Sequence, residues 1–169
     1  ETVTVRVRNP SPGGGDSGSL DFIIHANFAF ETPVPISDPG HDAYHGKINV
    51  TADGRVDAAW HESWGLDNRR SRMRHSGDGG GSWGPIRTIS ALAYSDNPAL
   101  CRDGEDTLHC VFDYTANPPA SVLRHTSSTD NGATWSTRES IPSTMVNTTL
   151  YPRLLAGEGT TIHLVYRCL

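Results

Sequence analysis

Eight residues, Ser76-Gly77-Asp78-Gly79-Gly80-Gly81-Ser82-Trp83, return 52 residues on as Ser128-Thr129-Asp130-Asn131-Gly132-Ala133-Thr134-Trp135. An internal period of that size marks a repeat architecture. An Asp in such a run accepts hydrogen bonds from nearby turn amides and hydroxyls, and a Gly two residues later supplies left-handed backbone. Ser76, Asp78, Gly80 and Trp83 are therefore expected to clasp one hairpin, and Ser128, Asp130, Gly132 and Trp135 another. Each Trp should open the following strand, with its ring on the neighbouring sheet and its indole N–H on a backbone carbonyl. A single carboxylate per turn is too little for a calcium site, so no metal is expected.

Aligning outward from these turns extends the repeat. Residues 97–101 and 107–112 read as two strands joined by a Gly- and Asp-rich turn, and 151–155 with 161–166 repeat that hairpin. Residues 46–50 and 55–60 are an earlier, weaker copy. Third strands are expected at 71–75 and 121–125, ahead of the Asp turns, and fourth strands end at 87–90 and 139–142. These stretches are short, rich in β-branched or aromatic residues, and bounded by Gly and Asp. Residues 30–37 resemble the fourth strand without its turn, while 2–8 and 20–25 read as strands around a loop at 9–19.

The form S-x-D-x-G-x-[ST]-W resembles the Asp box of bacterial neuraminidase repeats, across about residues 30–169. The resemblance implies a sialidase-like, all-β fold: a β-propeller of four-stranded blades. The chain carries about three blade equivalents: late strands at 1–37, blades at 38–90 and 91–142, and the first two strands of another at 143–169. Propellers typically close with four to eight blades. The chain is then expected either to be a piece of a longer propeller or to be completed by other copies of itself. Completion by copies gives a dimer closing a six-bladed ring, or a filament.

Composition narrows the partners. A net charge of −5 and a pI near 5.9 argue against nucleic acid. No stretch approaches the roughly 20 apolar residues of a membrane-spanning helix. The basic run at 69–74 reads as a solvated strand edge with its arginines outward, with an anion or glycan site as the alternative. Cys101 and Cys110 fall nearly equidistant from one hairpin turn, which predicts a cross-strand disulfide and, with it, an extracellular or cell-surface setting. Cys168 is left over. Asn49 and Asn147 head sequons. His109 and His163 recur at equivalent strand positions and read as packing residues. No metal-ligand spacing is present, and no cofactor is expected.

The propeller resemblance places the first strand of each blade on the central channel. His45, Asn97 and Tyr151 share one ring position, Lys47, Ala99 and Arg153 another, and Asp42, Tyr44, Tyr94, Asp96 and Asn147 lie on the loops leading in. Aromatic residues there, with Trp64, could stack on sugar rings while acids and amides bond hydroxyls. A non-catalytic glycan-binding or self-assembling propeller is the expected function. The alternative is an exo-α-sialidase or a fragment of one, for which the family would imply an arginine clamp, a Tyr nucleophile and an Asp acid/base. Arg153, Tyr44 or Tyr151, and Asp42 or Asp96 would fill those roles. Only one arginine falls on a channel position, which favours the binding reading.

Overall fold

The computed structural model describes residues 2–5, 20–23, 33–65, 68–117, 120–142 and 149–168. Among them no helix forms, and every regular element is a strand in an antiparallel sheet. The chain divides into two units, Glu1–Val34 and Pro35–Leu169. In the first, β1 (Thr2–Val5) pairs with β2 (Leu20–Ile23). Residues 33–36, inside the strand expected at 30–37, form none. Pro33 and Pro35 have no N–H to give a ladder, which is the physical reason. Residues 30–32 and the loop at 9–19 lie outside the described residues.

The second unit holds two four-stranded meanders and a hairpin. The first meander runs β3 (Asp42–Val50), β4 (Val56–Ser63), β5 (Arg69–Ser76), β6 (Arg87–Ser90), each strand hydrogen-bonded to the next. The second repeats that order with β7 (Ser95–Arg102), β8 (Leu108–Asn117), β9 (Ala120–Ser128) and β10 (Glu139–Ser140). The hairpin pairs β11 (Thr149–Ala156) with β12 (Ile162–Cys168).

Strand alternation explains how these sheets stack. Ala59, Met73 and Ile89 from the first meander meet Leu100, Leu108, Cys110 and Phe112 from the second in one buried cluster, with Tyr114 and Trp135 against it. Each large side chain fully buried there contributes about 1.5–3 kcal/mol. On the other face of the second meander β11 packs against β7, β8 and β9. β4 is buried from Val56 to Glu62, Asp57, His61 and Glu62 included.

The two copies of the repeated eight-residue turn close the β5–β6 and β9–β10 connections with the same bonds. The Ser76 hydroxyl donates to Asp78 Oδ1 (2.8 Å) and accepts from the Gly80 N–H (2.8 Å). Asp78 in turn accepts from the Ser82 N–H (2.8 Å) and hydroxyl (2.6 Å). In the second box Ser128, Gly132 and Thr134 bond Asp130 and one another at 2.7, 2.8, 2.8 and 2.6 Å. Both boxes run through two successive left-handed residues, Gly79 and Gly80 in one, Asn131 and Gly132 in the other. The Trp expectation needs correction. Trp83 and Trp135 precede β6 and β10, and the Trp135 indole nitrogen is buried without a partner, because its ring is drawn into the apolar cluster rather than toward a carbonyl.

Hydroxyl and amide donors hold both box carboxylates at about 2, below the ordinary Asp value, with the Ser82 hydroxyl the largest cause for Asp78 and the Thr134 hydroxyl for Asp130. A depressed folded-state pKa stabilises above the unfolded value and loses that contribution as pH falls through the folded one. Urea denaturation midpoints should therefore drop between about pH 4 and pH 2, and replacing both aspartates by asparagine should remove this part of the drop.

Two further expectations are overturned. Cys101 lies opposite His109 and Cys110 opposite Leu100, so the two thiols project from opposite faces of the sheet and both are free and buried. Burial pushes Cys101 up to about 11 and Cys110 higher still. The basic run is not a strand edge either, since β5 lies between β4 and β6. Arg72 bonds the buried Glu62 (3.0 Å), and Arg74 donates to the Gly84 carbonyl (2.6 Å). Asn49, half-buried on β3, has its side-chain nitrogen buried and is no glycosylation acceptor in this fold. Asn147 lies outside the described residues.

Candidate functional site

Three strands open the three successive sheets of the second unit, and each is broken at the same place. The ladder of β3 slips between Tyr44 and Lys47, that of β7 between Asp96 and Ala99, and that of β11 between Leu150 and Arg153. The residue in the slip is left-handed each time: His45 at φ 54°, Asn97 at 48°, Tyr151 at 60°. Such a conformation is tolerated by Asn or His and is costly for Tyr. A bulge re-aims its side chain, and bulges are concentrated beside functional sites. The three residues assigned to one ring position in the sequence are these three.

Their side chains line a cleft of about 430 Å³ with Tyr44, His61, Ser63, Arg69 and Asp96. The His45 ring stands edge-on to His61 (5.0 Å between centroids) and to Tyr151 (5.8 Å), and Tyr44 stacks on His61 at 5.3 Å. Arg69 reaches across from the first sheet to Asp96 Oδ2 at 2.6 Å. The other oxygen, Asp96 Oδ1, is buried without a partner, 3.5 Å from the equally unpartnered His61 Nδ1. Burial holds the His61 imidazole below its ordinary value against the pull of Asp96, favouring the neutral ring.

Beneath the cleft lies Asp113, 1% exposed, opposite Asp96 on β8. Its Oδ2 accepts from Asn97 Nδ2 (2.6 Å) and from the Tyr151 N–H (3.3 Å), tying the bulge of β7 to that of β11. Lys47 lies near enough to feel both Asp113 and Arg153. Burial first and then Arg153 lower its pKa, while Asp113 opposes them.

The cleft thus collects Tyr44, His45, Asp96, Asn97 and Tyr151 from the sequence-based candidates. Asp42 stands at its rim, where the Tyr44 hydroxyl donates to Oδ2 at 3.4 Å, and lines a neighbouring depression with His41 and Trp64. Trp64 is engaged by protein groups: His41 stacks on it at 4.1 Å and the Arg70 guanidinium lies 4.5 Å from its centroid. Tyr94 is left-handed, its carbonyl accepts the Thr115 N–H, and it does not line the cleft. Arg153 donates to the Pro152 carbonyl and is absent from the lining. His61 and Asp113 are not among the sequence-based candidates, and Arg69 enters only through the basic run. His61 and Asp113 stand 52 residues apart, the repeat period, so alignment of second strands would have paired them. His109 bonds Asp103 (3.1 Å) and His125 (3.0 Å), and among the described residues no cluster suits a metal ion.

No family model matches the chain, and no curated protein matches it. Among solved structures it is similar to the crystal structure of a protein of unknown function from Dyadobacter fermentans DSM 18053, with a TM-score of 0.56 and 15% identity. The match covers 74% of this chain and 46% of that one, so the chain spans less than half of its length. At that identity the likeness concerns the fold alone.

Proposed function

We propose that the chain is a segment of an Asp-box β-propeller whose bulged inner strands form a non-catalytic glycan-binding site, in an extracellular or cell-surface setting where glycans are displayed. What supports the propeller is the pair of consecutive meanders with matching Asp boxes, stacked face to face and followed by a hairpin in the same sense. The observation that carries the binding reading is the triple bulge. Three left-handed residues at one repeat position frame a cleft with exposed Tyr44 and Tyr151 and unpaired buried polar atoms on His61 and Asp96. Sugar recognition needs that combination of ring faces and fixed hydrogen-bonding groups. Sialidase chemistry is less well served, because Arg69 is neutralised by Asp96 and Arg153 is turned to a backbone carbonyl.

Screening the protein against an array of neutral, sialylated and uronate-bearing oligosaccharides tests the reading. Retention of one class is expected, with Tyr151→Ala weakening it about tenfold and no turnover of a fluorogenic sialoside. Turnover, lost in Tyr44→Phe or Tyr151→Phe, would favour the hydrolase instead.

A second reading, assembly through copies of the chain, draws on one specific observation. Leu155 and Val165, each 70% exposed, occupy the face of β11–β12 that corresponds to Cys101 and Val111 on the second sheet, both buried beneath the hairpin. A further sheet is what covers that face in the stack, and Ile48 and Val50, 67% and 61% exposed on β3, offer a matching one. Light scattering would show particles larger than 18.3 kDa, reduced in size by Val165→Lys.

A further inference from the structure

The lining of the cleft carries one guanidinium, Arg69, and one carboxylate, Asp96, and the two are joined at 2.6 Å through Arg69 Nη1 and Asp96 Oδ2. Each keeps bonding capacity beyond that contact. Asp96 Oδ1 is buried without a partner, 3.5 Å from the unpartnered His61 Nδ1, and that separation is too long for a sound hydrogen bond. Asn97 Oδ1, from a lining residue 5% exposed, is another buried acceptor without a partner. The Arg69 side chain is 43% exposed, and its bond to Asp96 engages Nη1 alone, leaving N–H groups of the planar fork to spare. A hydroxyl matches such a set because it donates and accepts at once, whereas a carboxylate only accepts.

We infer that the cleft takes an uncharged sugar, whose hydroxyls donate to Asp96 Oδ1 and Asn97 Oδ1 and accept from Arg69, and that Asp96 is the residue that keeps acidic sugars out. The inference rests on the glycan-binding reading and narrows its ligand to one class.

Charge supports the exclusion. A carboxylate brought to Arg69 would share that guanidinium with Asp96, placing two like charges on one cation. Asp113, 1% exposed and opposite Asp96 on the β7–β8 ladder, stands behind it. The other cations of the inner strands are turned aside. Lys47 donates to the His45 carbonyl at 3.3 Å and Arg153 to the Pro152 carbonyl at 3.0 Å, and neither lines the cleft. Burial holds His61 toward its neutral ring, so it offers an acid no positive charge. A repulsive element of this kind sets specificity separately from affinity.

Access runs past an exposed ring. Tyr44, 48% exposed, stacks on His61 at 5.3 Å. Turning it outward, a fast motion for an exposed side chain, uncovers the imidazole beside Asp96 Oδ1 and offers the ring face to the sugar.

Amide NMR titrations with the methyl glycosides of glucose, galactose and mannose, each against the glycoside of its uronic acid, test this, since the members of a pair differ only in a hydroxymethyl group for a carboxylate. At least one neutral glycoside is expected to give saturable shifts at the cleft, and its uronate to bind about tenfold more weakly or not at all. Asp96→Asn keeps the shape of the side chain and releases Arg69. It is expected to weaken the neutral sugar and strengthen the uronate, bringing the pair to parity or reversing it. Equal or tighter binding of the uronate by the parent, or an unchanged ratio in Asp96→Asn, would overturn the inference and leave the glycan-binding reading in place. Saturable shifts from neither set, in parent or variant, would sink that reading and the inference with it. Should Asp96→Asn fail to fold, the ratio measured on the parent still decides.

Discussion

Replacing Asp57 by alanine is expected to lower stability by about 3–5 kcal/mol, with a fall in Tm on the order of 10 °C. Asp57 lies on β4 and is fully buried. Both of its oxygens are engaged by Arg102, Oδ2 by Nε at 2.8 Å and Oδ1 by Nη2 at 3.0 Å, and His75 Nδ1 lies 2.8 Å from Oδ1. The Arg102 side chain is 4% exposed and continues to Asp106 and to Oδ1 of Asn131 (2.8 Å), the first of the two left-handed residues in the second repeated turn. One guanidinium therefore joins the first sheet, the β7–β8 turn and the β9–β10 turn. Removing the carboxylate strands that charge in the interior, where a lone ion costs far more than the intact pair returns. Removing both partners should cost less than the sum, so Asp57→Leu with Arg102→Met is expected to recover part of the loss by urea denaturation. Strict additivity would argue that the two residues act separately.

Gly132→Ala is expected to destabilise by about 2–4 kcal/mol and Gly80→Ala by only about 1 kcal/mol, although both glycines hold the same place in their turns. Both are left-handed, at φ 81° and 96°, so each alanine meets the same backbone penalty. Their surroundings differ. A Cβ at Gly80 would touch only Trp83, at 3.8 Å. One at Gly132 would collide with Met73 Sδ, and would press on Met73 Cε at 3.1 Å and Trp135 Cζ2 at 3.3 Å. Met73 is fully buried in the cluster between the two sheets and cannot swing into solvent. The β9–β10 turn is thus pressed into the core by its neighbour sheet, while the β5–β6 turn is open at that point. Thermal denaturation of the two variants measures the difference directly, and equal losses would mean that Met73 repacks at no cost.

These asymmetries show where sequence reasoning reached and where it stopped. The two repeated turns were legible because their chemistry is local: a Ser, an Asp, a hydroxyl residue and a Gly satisfy one another within eight residues. Strand order was legible from the period alone. The cysteine pairing was not, because the turn after Arg102 pairs Arg102 with Leu108, which sets Cys101 opposite His109. An offset of one residue in a strand moves a side chain to the other face. The site was half legible. Position in the repeat brought His45, Asn97 and Tyr151 together, but nothing about a His or a Tyr announces a left-handed bulge. His61 and Asp113 stayed hidden because a polar residue in an alternating strand reads as solvent-facing. Here the neighbouring sheets bury His61 and Asp113, at 5% and 1% exposed, between the bulged strands.

Amide NMR of the nitrogen-15-labelled protein titrated with millimolar neutral and acidic disaccharides tests most directly whether the bulged cleft is where ligands bind. Shifts are expected to concentrate at His45, Asn97 and Tyr151 and at the facing residues His61 and Asp96, and to be lost in Tyr151→Ala. Shifts clustered elsewhere, such as the depression around His41 and Trp64, or no saturable shift with any of the sugars, would contradict it.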